Sequence, residues 1–248
     1  MLELYRALGV VPGDVVAFVG AGGKSSAILQ AADELKRAGV KVLAVPTTKM
    51  FVSEARRIGP IVTGEDAGDL RLEVGRALED GGVAVAGSGM LSRDRVGGVE
   101  AAAVPSLAPK GGVTLVEADG SRRRPIKGTA DHEPPLPEGA TLVVAVGGID
   151  ALGQTVDEEH VHRPEVFAEI TGAGPGHTIT PLAFARALLA GLRNAPQDAR
   201  LAALLAGVMP GSDLAAASTV ARELWRGGVR KVVSTSLPKE DPGRVWTL

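Results

Sequence analysis

Short runs of apolar residues alternate with helix-compatible segments along this chain. The runs that predict strands lie at residues 15–20, 41–47, 60–63, 83–87, 113–119, 141–146 and 231–236. The segments that predict helices lie at residues 25–38, 66–80, 163–171, 181–192 and 213–227. Residues 201–208 fit both, because their leucines and alanines favour a helix while the alternation favours a strand. Such alternation is typical of βα units and of a mostly parallel sheet.

The composition supports this fold class. The chain has 248 residues, of which 45% are hydrophobic and only 3% aromatic. A core rich in alanine, valine, leucine and glycine suits parallel strands that are buried on both faces. We therefore expect an α/β three-layer sandwich that forms a single domain over residues 1–248, with a loop-rich insertion at about residues 121–140.

Charge and cysteine content exclude several functions. The net charge of −2 argues against nucleic acid or an anionic membrane surface as a partner. The chain has no cysteine, which excludes disulfides, thiolate metal sites and a cysteine nucleophile. The first residues lack the basic and apolar regions of a signal peptide, and no apolar run is long enough to cross a membrane. We expect a cytoplasmic protein.

The most informative motif follows the first predicted strand. It consists of Gly20, Ala21, Gly22, Gly23, Lys24, Ser25 and Ser26. Glycines let backbone N–H groups approach an anion, and the N-terminus of the following helix adds a partial positive charge. The lysine would contact the β- and γ-phosphates of ATP or GTP, and the Ser25 hydroxyl would ligate Mg²⁺. The motif predicts a P-loop and hence a P-loop NTPase-like fold.

The spacing departs from a standard P-loop, G-x-x-x-x-G-K-[ST], because Phe18 occupies the place of the first glycine. A dinucleotide fingerprint fits less well. Ser25 stands where its third glycine belongs, and residues 46–48 supply no acid to hold a ribose. An ordinary glycine-rich turn, with Ser25 or Ser26 as the helix N-cap, is the alternative.

Two acids end a later apolar strand. Glu117 and Asp119 share strand parity, so their carboxylates would lie about 7 Å apart on one face. P-loop NTPases place an acid at such a strand end to hold Mg²⁺ or its water shell. We assign both residues to the metal and, with Lys24, to catalysis, although two acids at a solvated strand end would look the same in sequence.

Basic and polar residues near the predicted strand ends are candidates for binding a substrate. They are Thr47, Thr48, Lys49, Arg122, Arg123, Arg124, Lys127, His132, His162 and Arg163. Arginine and lysine side chains suit phosphate or carboxylate groups, although basic runs are also common on solvated surfaces. No Asn-Lys pair precedes Asp213 to select guanine, so adenine and guanine both remain open.

These motifs together resemble the YqeC family. The resemblance is carried by residues 19–26 (VGAGGKSS), 46–50 (PTTKM), 117–128 (EADGSRRRPIKG), 131–134 (DHEP) and 162–165 (HRPE). It implies a P-loop nucleotide-binding accessory protein that matures the selenium and molybdenum cofactor of a molybdenum hydroxylase. That hydroxylase, or another cofactor-maturation protein, would be its partner. The short glycine loop also resembles that of Mur-type amide ligases.

Three functional hypotheses follow from these residues and the resemblance. The first is an Mg²⁺-dependent nucleoside triphosphatase or nucleotide-driven transferase in cofactor maturation. The second is a nucleotide-gated chaperone or scaffold that hardly turns over. The third is a Mur-like ligase or a kinase that acts on a small anionic substrate.

Overall fold

The computed structural model describes residues 3–209, 211–236 and 244–247, and the structural statements below concern these residues. The helices are α1 (Leu4–Leu8), α2 (Lys24–Arg37), α3 (Val52–Ile58), α4 (Ala67–Gly81), α5 (Val104–Leu107), α6 (Pro164–Thr171), α7 (Pro181–Gly191) and α8 (Leu214–Arg226). The strands are β1 (Val15–Gly20), β2 (Val42–Pro46), β3 (Met50–Phe51), β4 (Ile61–Thr63), β5 (Val83–Gly87), β6 (Met90–Ser92), β7 (Arg95–Val96), β8 (Val113–Glu117), β9 (Ile126–Lys127), β10 (Leu142–Gly148), β11 (Val161–His162), β12 (Arg200–Val208), β13 (Lys231–Ser236) and β14 (Val245–Thr247).

The large sheet has nine strands in the order β14-β13-β12-β10-β1-β8-β2-β5-β4. All neighbours pair in parallel except β14, which runs antiparallel to β13 at one edge. β1 lies in the middle and pairs with β8 and β10. The carboxyl ends of β1, β8 and β10 therefore meet at the same edge of the sheet.

Helices cover both faces of this sheet and form two hydrophobic cores. Val16 and Phe18 of β1 pack with α1, α2 and α3, whereas Ala17 and Val19 pack on the opposite face with α4, α5, α7 and α8. Because successive side chains of a strand point to opposite faces, a strand buried on both sides reads as a continuous apolar run. The predicted α/β three-layer sandwich with a mostly parallel sheet is confirmed.

Local sequence signals explain where the helices begin and end. Asp66 caps α4 by accepting hydrogen bonds from the N–H groups of Gly68 and Asp69, and Gly82 ends it in the left-handed conformation. Thr180 caps α7 in the same way, with Pro181 in the first turn. The segment 201–208, open to both interpretations in the sequence, lies within the long strand β12 between β10 and β13.

Two small sheets lie outside the main one and were not predicted. β3, β7 and β6 form a three-stranded antiparallel sheet. The expected insertion at 121–140 contains β9, which pairs in parallel with β11. No helix among the described residues is both long enough and apolar enough to cross a membrane.

The chain turns in opposite directions on either side of β1. From β1 it continues through α2 to β2, whereas from β10 it continues through α6 and α7 to β12 on the other side of the sheet. α2 packs on one face and α7 on the other. Open α/β sheets bind ligands at such a switch point, outside the carboxyl ends of the strands. The glycine-rich segment after β1 lies there.

Candidate functional site

The segment that joins β1 to α2, residues 20–23, is here called the glycine loop. Gly22 has a φ of +66°, and a Cβ atom at this position would lie 2.4 Å from both the nitrogen of Gly148 and the carbonyl oxygen of Pro125. No larger residue fits between these backbones. Gly23 has a φ of +135° and precedes the first residue of α2, Lys24. Gly22 therefore allows close approach of the protein's own backbone, while the approach of an anion to the loop stays a prediction.

The start of α2 presents backbone donors without protein partners. No side chain caps the helix, since its N-cap residue is Gly23. Within the described residues, the N–H groups of Gly22, Gly23, Lys24 and Ser25 donate to no protein acceptor. Together with the helix dipole, these donors make a site suited to an anion such as phosphate.

Lys24 is buried, with an exposed fraction of 4%, although its side chain is charged. Its Nζ atom donates a hydrogen bond to the carbonyl oxygen of Gly20 and lies 3.1 Å from Oδ1 of Asp119. The lysine thus folds back over the glycine loop and is held by a carboxylate. A buried lysine needs such a partner, because removing an unpaired charge from water costs several kcal/mol, of the order of 5.

Asp119 connects the glycine loop to the chain beyond β8. It is 2% exposed, and its Oδ2 atom accepts hydrogen bonds from the backbone N–H of Gly20 at 3.0 Å and from Nζ of Lys127 at 2.9 Å. Its other oxygen, Oδ1, makes an ion pair with Lys24 but accepts no hydrogen bond. Asp119 therefore holds two lysines and the end of β1 in place.

Glu117 contacts the first turn of α2 instead. The Ser25 hydroxyl donates a hydrogen bond of 3.0 Å to Oε2 of Glu117. Burial raises the pKa of the Glu117 carboxyl above its usual value, while the charge of Lys24 and the hydrogen bond from Ser25 oppose the shift. Although they share strand parity, the two acids thus reach different partners at the same sheet edge.

The donor set fits Mg²⁺ bound together with phosphates. Mg²⁺ is usually held by one or two protein oxygens, phosphate oxygens and water, rather than by an all-protein cage. Ser25 and Glu117 supply a hydroxyl and a carboxylate side by side at the helix start. In the described part of the chain, no group of three or more histidine, aspartate or glutamate side chains is arranged to hold a metal ion alone.

The threonine–lysine motif lies at the neighbouring strand end. The Thr47 hydroxyl donates to the carbonyl oxygen of Ala118 at 2.9 Å, and the Thr47 N–H donates to that of Glu117. Thr47 thereby fixes the backbone between the two acids. Thr48 is partly buried, and Lys49 is exposed at the same edge.

A chain of ion pairs continues from Asp119 away from the glycine loop. Lys127, which is 2% exposed, lies 3.5 Å from Oε2 of Glu133, and both oxygens of Glu133 accept hydrogen bonds from the Arg163 guanidinium. Burial alone would raise the pKa of Glu133, but the hydrogen bonds of Arg163 and the charge of Lys127 outweigh it and lower that pKa. Lys127 and Arg163 therefore have protein partners already.

The basic run forms a tight turn before β9. The N–H of Arg124 donates to the carbonyl oxygen of Ser121 at 2.9 Å. The two central residues, Arg122 and Arg123, have φ values of +48° and +62°. The Arg123 guanidinium stacks 4.5 Å from the ring of Phe51 and lies 4.0 Å from Glu54, so it points towards β3 and α3.

His162 lies next to Lys127, because β11 pairs with β9 in the register that opposes these two residues. Burial, followed by the positive charges of Lys127, Arg163 and Arg122, lowers the pKa of His162 to about 4. The imidazole is therefore neutral at pH 7, and the three cations around it favour that neutral form. His162 is only partly buried and remains accessible.

The structure gathers most of the predicted residues at one edge of the sheet, but His132 lies elsewhere. His132 is exposed and lines an open cavity of about 430 Å³ with Asp131, Glu169 and Arg193, away from the glycine loop. Ser26 is exposed on α2. Two participants were missed by the sequence analysis, Glu133 and the Pro125 carbonyl. The only sequence signal for Glu133 was its place in the motif of residues 131–134, and no signal indicated the role of the Pro125 carbonyl.

The comparisons with known proteins identify the family of this chain. Residues 16–165 match the family described as YqeC protein, a range that includes the glycine loop, both acids, the basic turn and the start of α6. The uncharacterized protein YqeC of Escherichia coli (strain K12) is 35% identical over 191 residues, which cover 75% of this chain and 73% of that protein. Because the family match covers more than half of the chain, the chain belongs to the YqeC family.

Proposed function

We propose that this protein binds a nucleoside triphosphate with Mg²⁺ on the glycine loop and the first turn of α2, and hydrolyses it. The observation that carries the proposal is the hydrogen bond of 3.0 Å between Ser25 and Glu117 at the start of a helix that no side chain caps. A helix N-cap serine in an ordinary turn would bond to its own helix instead. Here the hydroxyl faces an acid that comes from the neighbouring strand β8.

Each side chain has a role that its contacts support. The free N–H groups at the start of α2 would bind the phosphates, and Lys24 would exchange Asp119 for phosphate oxygens. Bound Mg²⁺ would neutralise charge on the β- and γ-phosphates. Ser25 would ligate the ion, and Glu117 would hold it or orient its water. Asp119 would keep Lys127 and the N–H of Gly20 as partners after Lys24 has left.

We also propose that the nucleotide drives a step in the maturation of the selenium and molybdenum cofactor of a molybdenum hydroxylase. Family membership supports this role, because it is the one that the resemblance of the motifs implies. The partner would be that hydroxylase or another maturation protein. Phosphate release, measured with the protein alone and with a candidate hydroxylase, separates hydrolysis from a scaffold that binds nucleotide without turnover.

The test compares Lys24→Met with Lys36→Met by calorimetry against ATP and GTP in the presence of Mg²⁺. Lys24 lies at the start of α2 and Lys36 is exposed in its last turn, so the pair removes the same charge from opposite ends of one helix. We expect Lys24→Met to weaken the affinity for the preferred nucleotide by about 100-fold or more, because a charge-assisted hydrogen bond to phosphate is lost. Unchanged affinity in Lys24→Met, or no binding of either nucleotide by the unmodified protein, would overturn the proposal.

A further inference from the structure

We propose that the turn of residues 121–124, together with His162, forms a second anion site beside the glycine loop. Its ligand is a small acid that carries a phosphate or carboxylate group. The role of this acid as the second substrate rests on the proposed nucleotide function, but the anion site itself does not. The structure supports the site through its backbone, its position and its charges.

The backbone of the turn is one that arginine does not favour. Arg122 and Arg123 both have positive φ values, a conformation that is unfavourable for residues other than glycine. Glycine or asparagine would form this turn at less cost. Strained non-glycine residues concentrate at sites where the side chain is needed. The side chains of this turn are therefore candidates for binding a ligand.

The turn lies directly beside the glycine loop. The carbonyl oxygen of Pro125, the residue that follows the turn, accepts a hydrogen bond from Gly148 at 2.9 Å and lies against Gly22. From Pro125 the chain enters β9, whose pairing with β11 places His162 beside Lys127. The turn, His162 and the proposed phosphate site thus meet at one edge of the sheet.

The charges around His162 leave one cation without a carboxylate. Four charged groups contribute to the field at His162: Lys127 from β9, Arg163 before α6, Arg122 from the turn, and Glu133 from the segment before β10. Glu133 pairs with both Lys127 and Arg163. Among the described residues, no carboxylate forms an ion pair with Arg122. A bound anion would supply this missing charge.

The same charges affect the protonation of the His162 imidazole. Burial and the positive charges of Lys127, Arg163 and Arg122 lower the pKa of His162, and Glu133 opposes them only in part, so the imidazole is neutral at pH 7. A neutral imidazole donates one N–H, and a nearby anion would favour its protonated form, which donates two. Arg122 adds a planar fork of donors that suits phosphate or carboxylate. Tighter anion binding at lower pH is expected.

The experiment follows the imidazole signals by NMR while inorganic phosphate or malonate is added. The chain has only 4 histidines, so the His162 signal is assigned from its loss in His162→Asn. Titrations use Lys24→Met, in which the glycine loop lacks its lysine, and the same background with Arg122→Gly or Arg226→Ala. Glycine keeps the left-handed turn while removing the guanidinium, and Arg226 is an exposed arginine in the last turn of α8.

We expect a saturable shift of the His162 signal with at least one of the two anions. Arg122→Gly should weaken the affinity for the anion by about tenfold or more without lowering the melting temperature. Arg226→Ala should leave that affinity unchanged. Phosphate alone, malonate alone or both would support the site and define its preferred acid. A His162 signal that does not move, or equal affinities in the two arginine variants, would overturn it.

The two proposals fail separately in this design. Anion binding at His162 without any nucleotide binding in calorimetry would reject the proposed function and keep the second site. Nucleotide binding together with a His162 signal that does not move would support the proposed function and reject the second anion site.

Discussion

Glu117 and Asp119 are two positions apart but have opposite surroundings. Asp119 is buried between two lysines and a backbone N–H group, which leaves one oxygen facing Lys24 and little room for a metal ion. Glu117 is only partly buried and has a single hydroxyl partner. Asp119 therefore positions Lys24 and Lys127, and in the proposed function it is Glu117 that would serve the metal.

This division predicts different effects of Glu117→Gln on stability and binding. The substitution removes a desolvated charge, so the ligand-free protein should melt at the same temperature or higher. Mg²⁺-dependent nucleotide affinity should fall by about tenfold or more, because an amide is a poor substitute for a metal-binding carboxylate. Melting scans and calorimetry test both parts. Glu79→Gln, on the exposed face of α4, is the control, and wild-type affinity in Glu117→Gln would contradict the assignment.

His162 predicts a pH dependence of stability. Its pKa of about 4 in the folded protein lies below the value of 6.5 for a free histidine. The unfolded chain thus binds the proton more tightly, and the stability that the neutral imidazole contributes above pH 6.5 is lost as the pH falls towards 4. His162→Asn should reduce the dependence of the melting temperature on pH between these two values. His177→Asn, at an exposed histidine, should leave that dependence unchanged. The same slope of melting temperature against pH in the unmodified protein and both variants would contradict this pKa.

At the scale of elements, the glycine loop depends on close contact with β10 and Pro125. In Gly22→Ala, the new Cβ atom would meet two backbones at 2.4 Å in a left-handed conformation. We expect a displaced loop and loss of nucleotide binding. Gly75→Ala in the middle of α4 meets no atom within 4 Å and should stabilise the protein by up to about 1 kcal/mol. Calorimetry with both variants tests this, and normal binding by Gly22→Ala would show that the loop tolerates displacement.

The longer helices and most strands of the main sheet could be predicted from sequence because each carries its own signal, whereas the short α1, α3, α5 and β14 were missed. β1, β5 and β13 have the predicted bounds, and the predicted helices begin and end within about two residues of the observed ones. β3, β7, β9 and β11 have two residues each, too few for a period to show. Their pairing depends on contacts between distant segments, which a single sequence does not display.

The site shows the same limit. The glycine loop and the acids stand in local motifs, so their place at strand ends could be predicted. The Glu133–Arg163 pair joins residues 30 positions apart. Lys127 is buried and forms ion pairs with Asp119 and Glu133, so its side chain is not exposed to a substrate. Only the three-dimensional structure shows that Arg122 forms no ion pair with a carboxylate among the described residues, while Lys127 and Arg163 do.

At the scale of the whole molecule, the two ends of the sheet differ in character. The carboxyl end holds the glycine loop, the acids and the basic turn. At the amino end, buried Asp14 accepts hydrogen bonds from the Val11 N–H at 2.8 Å and the Thr141 hydroxyl at 2.7 Å, and its two oxygens bind the Arg200 guanidinium at 2.6 and 2.7 Å. These contacts join the starts of β1, β10 and β12. Both oxygens of Asp14 thus have protein partners.

This contrast predicts that stability and binding can be separated. Asp14→Ala leaves Arg200 and Thr141 without their acceptor and should cost about 2–3 kcal/mol of stability, yet change nucleotide affinity by no more than about twofold. Lys127→Met breaks the chain of pairs between Asp119 and Glu133, so it should lower both stability and affinity. Asp33→Ala removes an exposed pair with Arg37 on α2 and should leave stability almost unchanged.

Urea unfolding and calorimetry on the three variants measure both quantities. If the ends act separately, Asp14→Ala lowers the unfolding midpoint in urea while its nucleotide affinity stays near that of Asp33→Ala. A parallel loss of affinity in Asp14→Ala would mean that the strand starts control the glycine loop through β1, whose last residue, Gly20, is held by Asp119. Lys127→Met distinguishes these cases, because it perturbs Asp119 directly without touching the amino end of the sheet.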